Sequence, residues 1–223
     1  MKSAGHVDPS ELVGRKCYAG LDLAATEDVT AFVMCFPMED ETIKILPKLF
    51  VSEAAVERRR TQTGGSYDQF ISAGELIVTE GNSTDYAVIQ RVILECAEDY
   101  DIQAVAFDRW NSNSLVQQLT DKGLEMDPFG QGFISMTSPI KNAEILVKKK
   151  QLHHGGHGML RWMVANVVTK KDDAENIKFS KAKAGDKIDG IIAMVMALGE
   201  MMTMEGRDVT GASTYETQGI RML

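Results

Sequence analysis

Three aspartates follow or adjoin apolar segments in which a carboxylate is unusual. Asp22 stands near the end of the run CYAGLDL at 17–23, and Asp108 ends the run IQAVAFD at 102–108. Asp189 lies in GDKIDGIIAMVMALG, among residues that form the apolar face of a predicted helix. A carboxylate that is buried without a partner destabilises the folded state. These three residues are therefore candidate metal ligands and candidate catalytic residues.

The chemistry that these three aspartates could perform follows from the metals that carboxylates bind. Acids at the ends of neighbouring strands can converge on one point, because sites in open α/β sheets lie beyond the carboxyl ends of strands. Carboxylate oxygens suit Mg²⁺ or Mn²⁺, and two such ions about 3.5–4 Å apart can hydrolyse a phosphodiester. Asp28 is a fourth candidate ligand, six positions after Asp22. Asp186, one turn before Asp189, is a candidate N-cap of the helix.

Each acid also has a purely structural interpretation, which the sequence leaves open. Asp22 could be an exposed strand end or a turn cap, and Asp108 could cap a helix or pair with Arg109. Local sequence favours Asp28 as a simple turn residue.

The order of predicted elements indicates an α/β fold with a ribonuclease-H-like mixed sheet and helices on both faces. Hydrophobic patterning predicts strands at 17–23, 29–36, 41–51, 75–79, 102–108, 124–129 and 176–180. It predicts helices at 52–63, after Ser83 or Thr84, and at 112–122, 139–150 and 186–203. It predicts a helical or mixed segment at 159–169 and a mostly irregular stretch at 64–83. We expect an N-terminal extension at 1–13, a nuclease-type domain at 14–205 and a flexible tail at 206–223.

The overall charge opposes simple electrostatic binding of nucleic acid. The 223 residues carry a formal net charge of -8, whereas nucleic-acid-binding domains are commonly basic. Contact with DNA would need metal ions or a local basic surface. The best candidates for such phosphate contacts are Lys181, Lys183 and Lys187, which lead into Asp189, although charge runs are usually solvated.

Other features argue for an intracellular protein without a structural metal site. No apolar run reaches the roughly 18 residues of a membrane helix, and the first residues lack a secretory signal, so we expect a cytoplasmic protein that does not contact membranes. The three cysteines contain no CxxC pair and are expected to be free thiols. The HHGGHG segment at 153–158 favours a turn over a zinc site, with His154 helping to shape the site.

Several sequence segments, in their order and spacing, resemble segments of the nuclease domain of the large terminase subunits of tailed phages. The resemblance runs from about Gly14 to Leu198 and rests on GRKCYAGLDLAATEDVTAFVMCFP, GELIVTEGNSTDYAVI, AVAFDRWN, PFGQGFISM, LHHGGHGMLRWMVANVV and KIDGIIAMVMAL. It implies a ribonuclease-H-like nuclease that uses two divalent ions to cut double-stranded viral DNA concatemers during genome packaging into procapsids. It also implies an ATPase domain, a small terminase subunit and a portal as partners, and a location in the host cytoplasm at the procapsid portal.

The resemblance also assigns residues. Asp22 matches the first-strand catalytic acid, Asp108 the second and Asp189 the helix acid, while Asp28 matches an additional acid. Three further residues, His154, Asn166 and Lys181, fall within segments that recur in the family. The resemblance does not indicate what these residues do.

The chain lacks the GxxxxGK[ST] phosphate loop that a packaging ATPase needs, so only the cutting function is expected here, from an excised domain or a stand-alone protein. Other enzymes on the same fold stay open, namely a Holliday junction resolvase, a ribonuclease H or a transposase-type enzyme. A catalytically silent docking module also stays open. An actin-like or sugar-kinase fold is disfavoured, because LDLAATED contains no glycine for a phosphate turn.

Overall fold

A mixed β-sheet forms the centre of the protein. The computed structural model describes residues 5–23, 29–63, 66–108 and 113–210. Within them, the main sheet comprises β1 (Lys16–Asp22), β2 (Thr30–Pro37), β3 (Ile43–Ser52), β4 (Ile77–Thr79), β5 (Asp101–Asp108), β6 (Met126–Phe129) and β7 (Leu152–His153). Strands β1, β2 and β3 form the predicted antiparallel meander, and the order across the sheet is β4-β3-β2-β1-β5-β6, with β7 beside β3. Strand β5 runs parallel to β1 and β6, which makes the sheet mixed.

Helices cover both faces of this sheet, which confirms the predicted ribonuclease-H-like layout. The helices are α1 (Glu53–Thr63), α2 (Ser66–Ser72), α3 (Tyr86–Asp99), α4 (Asn113–Asp121), α5 (Phe133–Lys149), α6 (Gly158–Ala165) and α7 (Asp189–Thr210). One apolar layer joins the sheet to α3 and α4, and the other joins it to α5, α6, α7 and the pair α1 and α2. A separate hairpin, β8 (Thr169–Lys171) and β9 (Ile177–Phe179), precedes a short 3-10 turn at Lys181–Lys183.

Helix α7 packs directly on β1 because the strand has a glycine where the two meet. A Cβ atom on Gly20 would lie 2.0 Å from the carbonyl oxygen of Ala193 and 2.9 Å from the backbone nitrogen of Ala197. No side chain fits in that space. The residues of α7 from Gly190 to Glu200 are all buried, which explains why this segment is apolar around most of its circumference.

The structure corrects several predicted boundaries. Helix α5 begins at Phe133 rather than at 139, and Pro139 is buried inside it, so packing against α7 outweighs the unfavourable helix propensity of proline. Helix α2 lies in a stretch predicted to be irregular, and the cap of α3 is Asp85, which accepts a hydrogen bond from Ala87 N–H at 2.8 Å, rather than Ser83 or Thr84.

The end of α6 also differs from the prediction. The helix ends at Ala165, and the β-branched residues Val167 and Val168 lead to strand β8, which begins at Thr169. Such residues favour extended backbone over a further helical turn.

Part of the predicted N-terminal extension packs on the domain. Leu12 lies in a short 3-10 turn at Pro9–Leu12 and is completely buried in the layer beneath α3 and α4. The boundary at residue 14 and the flexible tail stay predictions. None of the helices that the structure describes is both long enough and apolar enough to cross a bilayer.

Candidate active site

The carboxyl ends of β1 and β5 bring two of the predicted ligands to neighbouring positions. These strands are parallel and Leu21 pairs with Phe107, so the next residues, Asp22 and Asp108, lie side by side. Leu21 and Phe107 pack in the layer beneath α3 and α4, and strand alternation therefore points both aspartates to the opposite face, where α7 lies. The predicted adjacency is confirmed, whereas the role of the two acids as ligands stays a prediction.

The structure excludes one of the purely structural interpretations of these acids. Asp22 is 2% exposed, so it is not an exposed strand end, whereas Asp108 is partly buried. The structure describes α4 from Asn113 onward, so the interpretation of Asp108 as a helix cap stays a prediction. Asp28 and Arg109 lie outside the described residues.

Asp189 is the first residue of α7 and is 3% exposed. The carbonyl of Ile188 accepts the first helical hydrogen bond, from Ile191 N–H at 2.9 Å. The next residue, Gly190, allows this end of the helix to lie against α6, since a Cβ there would come within 2.9 Å of Leu160 and Met163. The start of α7 is thus held rigidly, as the apolar surroundings of Asp189 suggested.

Lys181 joins two of the aspartates. Its Nζ donates to Asp22 Oδ2 at 3.0 Å and to Asp189 Oδ1 at 3.0 Å. Asp22, on β1, lies 159 residues before the lysine in the chain, and Asp189, on α7, lies 8 residues after it. The fold therefore brings both carboxylates to one position. The sequence pattern assigned Lys181 to DNA phosphate, and that role stays a prediction. In this structure its ammonium group lies between the candidate metal ligands.

Burial disfavours the charged form of Asp22, and the charge of Lys181 opposes this effect. Burial raises the pKa of Asp22 to about 6, against the opposing effect of the Lys181 charge, and the nearby Asp189 adds to the increase. Burial alone would lower the pKa of Lys181, but the charges and hydrogen bonds of Asp22 and Asp189 raise it above its ordinary value. The lysine is therefore a positively charged partner for two buried acids.

Gln131 is a site residue that the sequence did not indicate. It follows β6 and precedes α5, and its Nε2 donates to Asp22 Oδ1 at 2.9 Å. The same nitrogen lies 3.6 Å from the sulfur of Met196 on α7. Gln131 thus fixes one oxygen of Asp22 while Lys181 contacts the other. Its place after the strand next to β5 is the signal that could have identified it.

If the site cuts DNA, as the sequence resemblance implies, replacement of Gln131 by methionine should lower the cleavage rate by about 10-fold or more, because hydrogen bonds that orient a ligand carboxylate typically contribute 10–100-fold. Initial rates of plasmid nicking would measure the loss. The matched control is Gln117→Met, which removes a 2.8 Å hydrogen bond from Gln117 to Asp121 on the exposed face of α4. Equal rates for the two variants would show that Gln131 does not position Asp22.

Asp186 is not the N-cap of α7, in contrast to the prediction, because the helix begins three residues later. Its carboxylate instead forms a bidentate ion pair with Arg59 of α1, with Nη1 and Oδ1 2.6 Å apart. The Arg59 guanidinium also stacks on two rings, 4.9 Å from the centroid of Tyr67 and 5.2 Å from that of Trp162. This contact ties the segment between Lys181 and Asp189 to α1, α2 and α6.

Two further predicted residues, His154 and Asn166, form no hydrogen bond or ion pair with Asp22 or Asp189 within the described part of the chain. His154 is 2% exposed beside β7, and its burial, with the nearby Arg161 charge, lowers its pKa. Asn166 ends α6, and its carbonyl accepts a hydrogen bond from Gly185 N–H at 3.2 Å, which supports the same loop. The roles of His154 and Asn166 as secondary site residues stay predictions.

The other two predicted phosphate contacts lie near the opening of the site. Lys183 is exposed, and Lys187 is partly buried. Lys187 lines a small open pocket together with Lys181, Asp186 and Asp189.

A second group of possible metal ligands lies on the surface. Within the described residues, His6, Asp8 and Glu11 are close enough to share an ion. However, Asp8 already caps a turn through Ser10, and Glu11 pairs with Lys44 at 2.9 Å. These contacts explain the cluster as a turn network, whereas the buried carboxylates beneath Lys181 have no such local explanation.

Comparison with known proteins identifies the family. A model of the terminase large subunit endonuclease domain matches residues 3–205. The large terminase subunit of Enterobacteria phage HK97 is 35% identical over 187 residues, which is 83% of this chain and 37% of that protein. The chain therefore spans well under half the length of this relative.

Solved structures agree with this assignment. The crystal structure of the HK97 large terminase has a TM-score of 0.81 and 33% identity, over 89% of this chain and 42% of that one. The large terminase nuclease of thermophilic phage G20c with bound magnesium shares the fold, with a TM-score of 0.54 and 12% identity over 86% of this chain and 95% of that one. The resemblance seen in the sequence is confirmed: this chain belongs to the family of terminase large subunit endonuclease domains.

Proposed function

We propose that this domain is a divalent-metal-dependent endonuclease that cuts double-stranded viral DNA concatemers during packaging into procapsids. The observation that carries the proposal is the buried pair Asp22 and Asp189, whose oxygens lie 3.0 Å from one ammonium nitrogen. Two buried acids around one cation position, with Asp108 at the neighbouring strand end, form a donor set of hard oxygens that fits Mg²⁺ or Mn²⁺.

The chain's residues have distinct tasks in this proposal. Asp22, Asp108 and Asp189 would hold the metal, with Asp28 as an additional ligand and Gln131 orienting Asp22. Two Mg²⁺ or Mn²⁺ ions, when bound, would supply an activated water and positive charge beside the leaving oxygen of the phosphodiester. The rigid ends of β1, β5 and α7 fix the carboxylates before DNA arrives, so little reorganisation is needed during the reaction.

DNA would reach this site through a local basic surface rather than through the overall charge, which is -8. In this proposal Lys183 and Lys187 would contact the backbone phosphates, as would Lys181 once its ammonium group is free of the carboxylates. Contacts of this kind are independent of base sequence and weaken with salt.

The packaging context rests on the relatives. The chain covers 37% of the HK97 large subunit. We propose a terminase ATPase domain, a small terminase subunit and a portal as partners, with cleavage in the host cytoplasm at the procapsid portal.

Cleavage of supercoiled plasmid tests this function. Wild-type protein with Mn²⁺ is expected to produce nicked and linear DNA, and a chelator should stop the reaction. Asp189→Asn should lower the rate by about 100-fold or more, because loss of a ligand exceeds the 10–100-fold effect of its supporting hydrogen bonds. The same products at the same rate from wild type and variant would refute the assignment of Asp189.

Other substrates separate this function from the alternatives. A preference for four-way junctions would indicate a Holliday junction resolvase, and a preference for RNA–DNA hybrids would indicate a ribonuclease H. If the protein binds no divalent metal at millimolar concentration, the catalytically silent docking module becomes the better explanation.

A further inference from the structure

Lys181 lies where a metal bound by Asp22 and Asp189 would have to be. Its Nζ is 3.0 Å from an oxygen of each carboxylate, and it makes an ion pair with both. We infer that Lys181 is the counter-cation of the metal-free site, and that metal binding displaces its ammonium group from Asp22 and Asp189. The inference rests on the metal site of the proposed function and assigns to one residue the control of metal entry.

The surroundings of the carboxylates explain why a counter-cation is needed. The side chains of Asp22 and Asp189 are 2% and 5% exposed, so water screens their mutual repulsion poorly. Removal of one partner from a buried ionic group leaves an uncompensated charge and strongly destabilises the protein. Without metal, Lys181 supplies that compensation.

The ammonium group and a metal ion cannot occupy this position together. Mg²⁺ binds oxygen ligands at about 2.0–2.1 Å, so an ion held by the same two oxygens would lie within contact distance of Nζ. The two positive charges would repel each other where water is largely excluded. Binding is therefore an exchange of one cation for another.

The side chain of Lys181 is exposed enough for its ammonium group to leave the site. It begins the short 3-10 turn Lys181–Lys183 after β9, and its side chain is 49% exposed although its tip contacts buried acids. It also lines the pocket that contains Lys187, and Lys183 is exposed two residues later. A displaced ammonium on its flexible stem would remain among these lysines. Metal binding would thus add positive charge where the DNA phosphates approach.

The exchange lowers the apparent metal affinity, because the ion must first replace a favourable partner. Lys181→Met keeps most of the side-chain length and removes the charge. In calorimetric titrations of metal-stripped protein, we expect this variant to bind Mn²⁺ about 10-fold tighter than wild type. The matched control is Lys170→Met, which makes the same charge change at an exposed position on β8 and should alter the affinity less than about 2-fold.

Thermal unfolding gives a second expected result. Without metal, Lys181→Met should unfold at a lower temperature than wild type, and saturating Mn²⁺ should raise its midpoint by more than that of wild type. Mn²⁺ affinity equal to or weaker than that of wild type would overturn the exchange. If neither protein binds Mn²⁺ at millimolar concentration, the metal site of the proposed function fails instead.

The wild-type protein offers a test that does not depend on the folding of a variant. An ammonium group held by two carboxylates should give a lysine side-chain NMR signal distinct from those of exposed lysines. Titration with diamagnetic Mg²⁺ should move the Lys181 signal to the exposed position as the site fills. A Lys181 signal that stays unchanged at saturating Mg²⁺ would show that the ammonium is not displaced.

Discussion

Replacement of Asp22 by asparagine is expected to reduce metal-dependent DNA cleavage by about 100-fold or more, while the fold is retained. The variant keeps the shape of the side chain and removes its negative charge, so the proposed metal site loses a candidate ligand with a fixed position on β1. Substitution of residues that merely orient ligands typically costs 10–100-fold, and loss of the ligand itself should exceed this. Rates of plasmid nicking in Mn²⁺ measure the effect.

A matched control variant removes a negative charge of the same kind at a position far from the site. Asp101→Asn makes the same change at the exposed start of β5, the opposite end of the strand that carries Asp108. It should leave the cleavage rate within about 2-fold of wild type. Equal cleavage by Asp22→Asn and Asp101→Asn would show that Asp22 is not a ligand.

The stability of the metal-free Asp22→Asn variant should also depend less on pH. In the folded wild type, burial raises the pKa of Asp22 from the ordinary value of 3.8 to about 6. The group therefore binds more protons in the folded state between these values, and its stabilising contribution, present below about 3.8, is lost as the pH rises through about 6. Urea unfolding at several pH values would show whether wild type loses stability relative to the variant in this window.

The sequence predicted those parts of the fold that have strong local patterns. Continuous apolar runs identified β1, β2 and β5, because strands buried on both faces are apolar at nearly every position. The same reasoning identified Asp22 and Asp189, since a carboxylate among such residues is either a defect or a functional group. The ribonuclease-H-like order followed from these elements.

Elements that depend on tertiary packing were harder to predict. Helix α2 lies beside Gly64 and Gly65 in the sequence, and its Tyr67 and Phe70 are buried against Trp162 of α6. That ring is more than 90 residues away in the chain. A local pattern cannot contain this interaction, so the segment was predicted to be irregular.

The contacts that complete the site are also non-local. Gln131 lies 109 residues from Asp22, and Arg59 lies 127 residues from Asp186. Lys181 belongs to a group of lysines that the sequence predicted to contact DNA phosphates, although charge runs are usually solvated. Which lysine turns inward depends on the turn after β9 and on the position of α7, and both are properties of the folded chain.

Substitution of Gly20 by alanine should destabilise the protein by about 3 kcal/mol, at the upper end of the usual penalty for overpacking a core. The added methyl group would lie 2.0 Å from the carbonyl oxygen of Ala193, which is backbone and cannot rotate away. Helix α7 would have to move away from β1. Chemical denaturation would measure the loss in the free energy of unfolding.

The same movement should impair the active site, because Asp22 and Asp189 lie at the ends of the two elements that Gly20 allows to meet. Gly206→Ala makes the same chemical change on α7, where nothing lies within 4 Å of the new atom. It should stabilise the helix by up to about 1 kcal/mol, because alanine is the better helix former. If Gly20→Ala unfolds at the same denaturant concentration as Gly206→Ala, close packing of α7 on β1 does not set the distance between the two carboxylates.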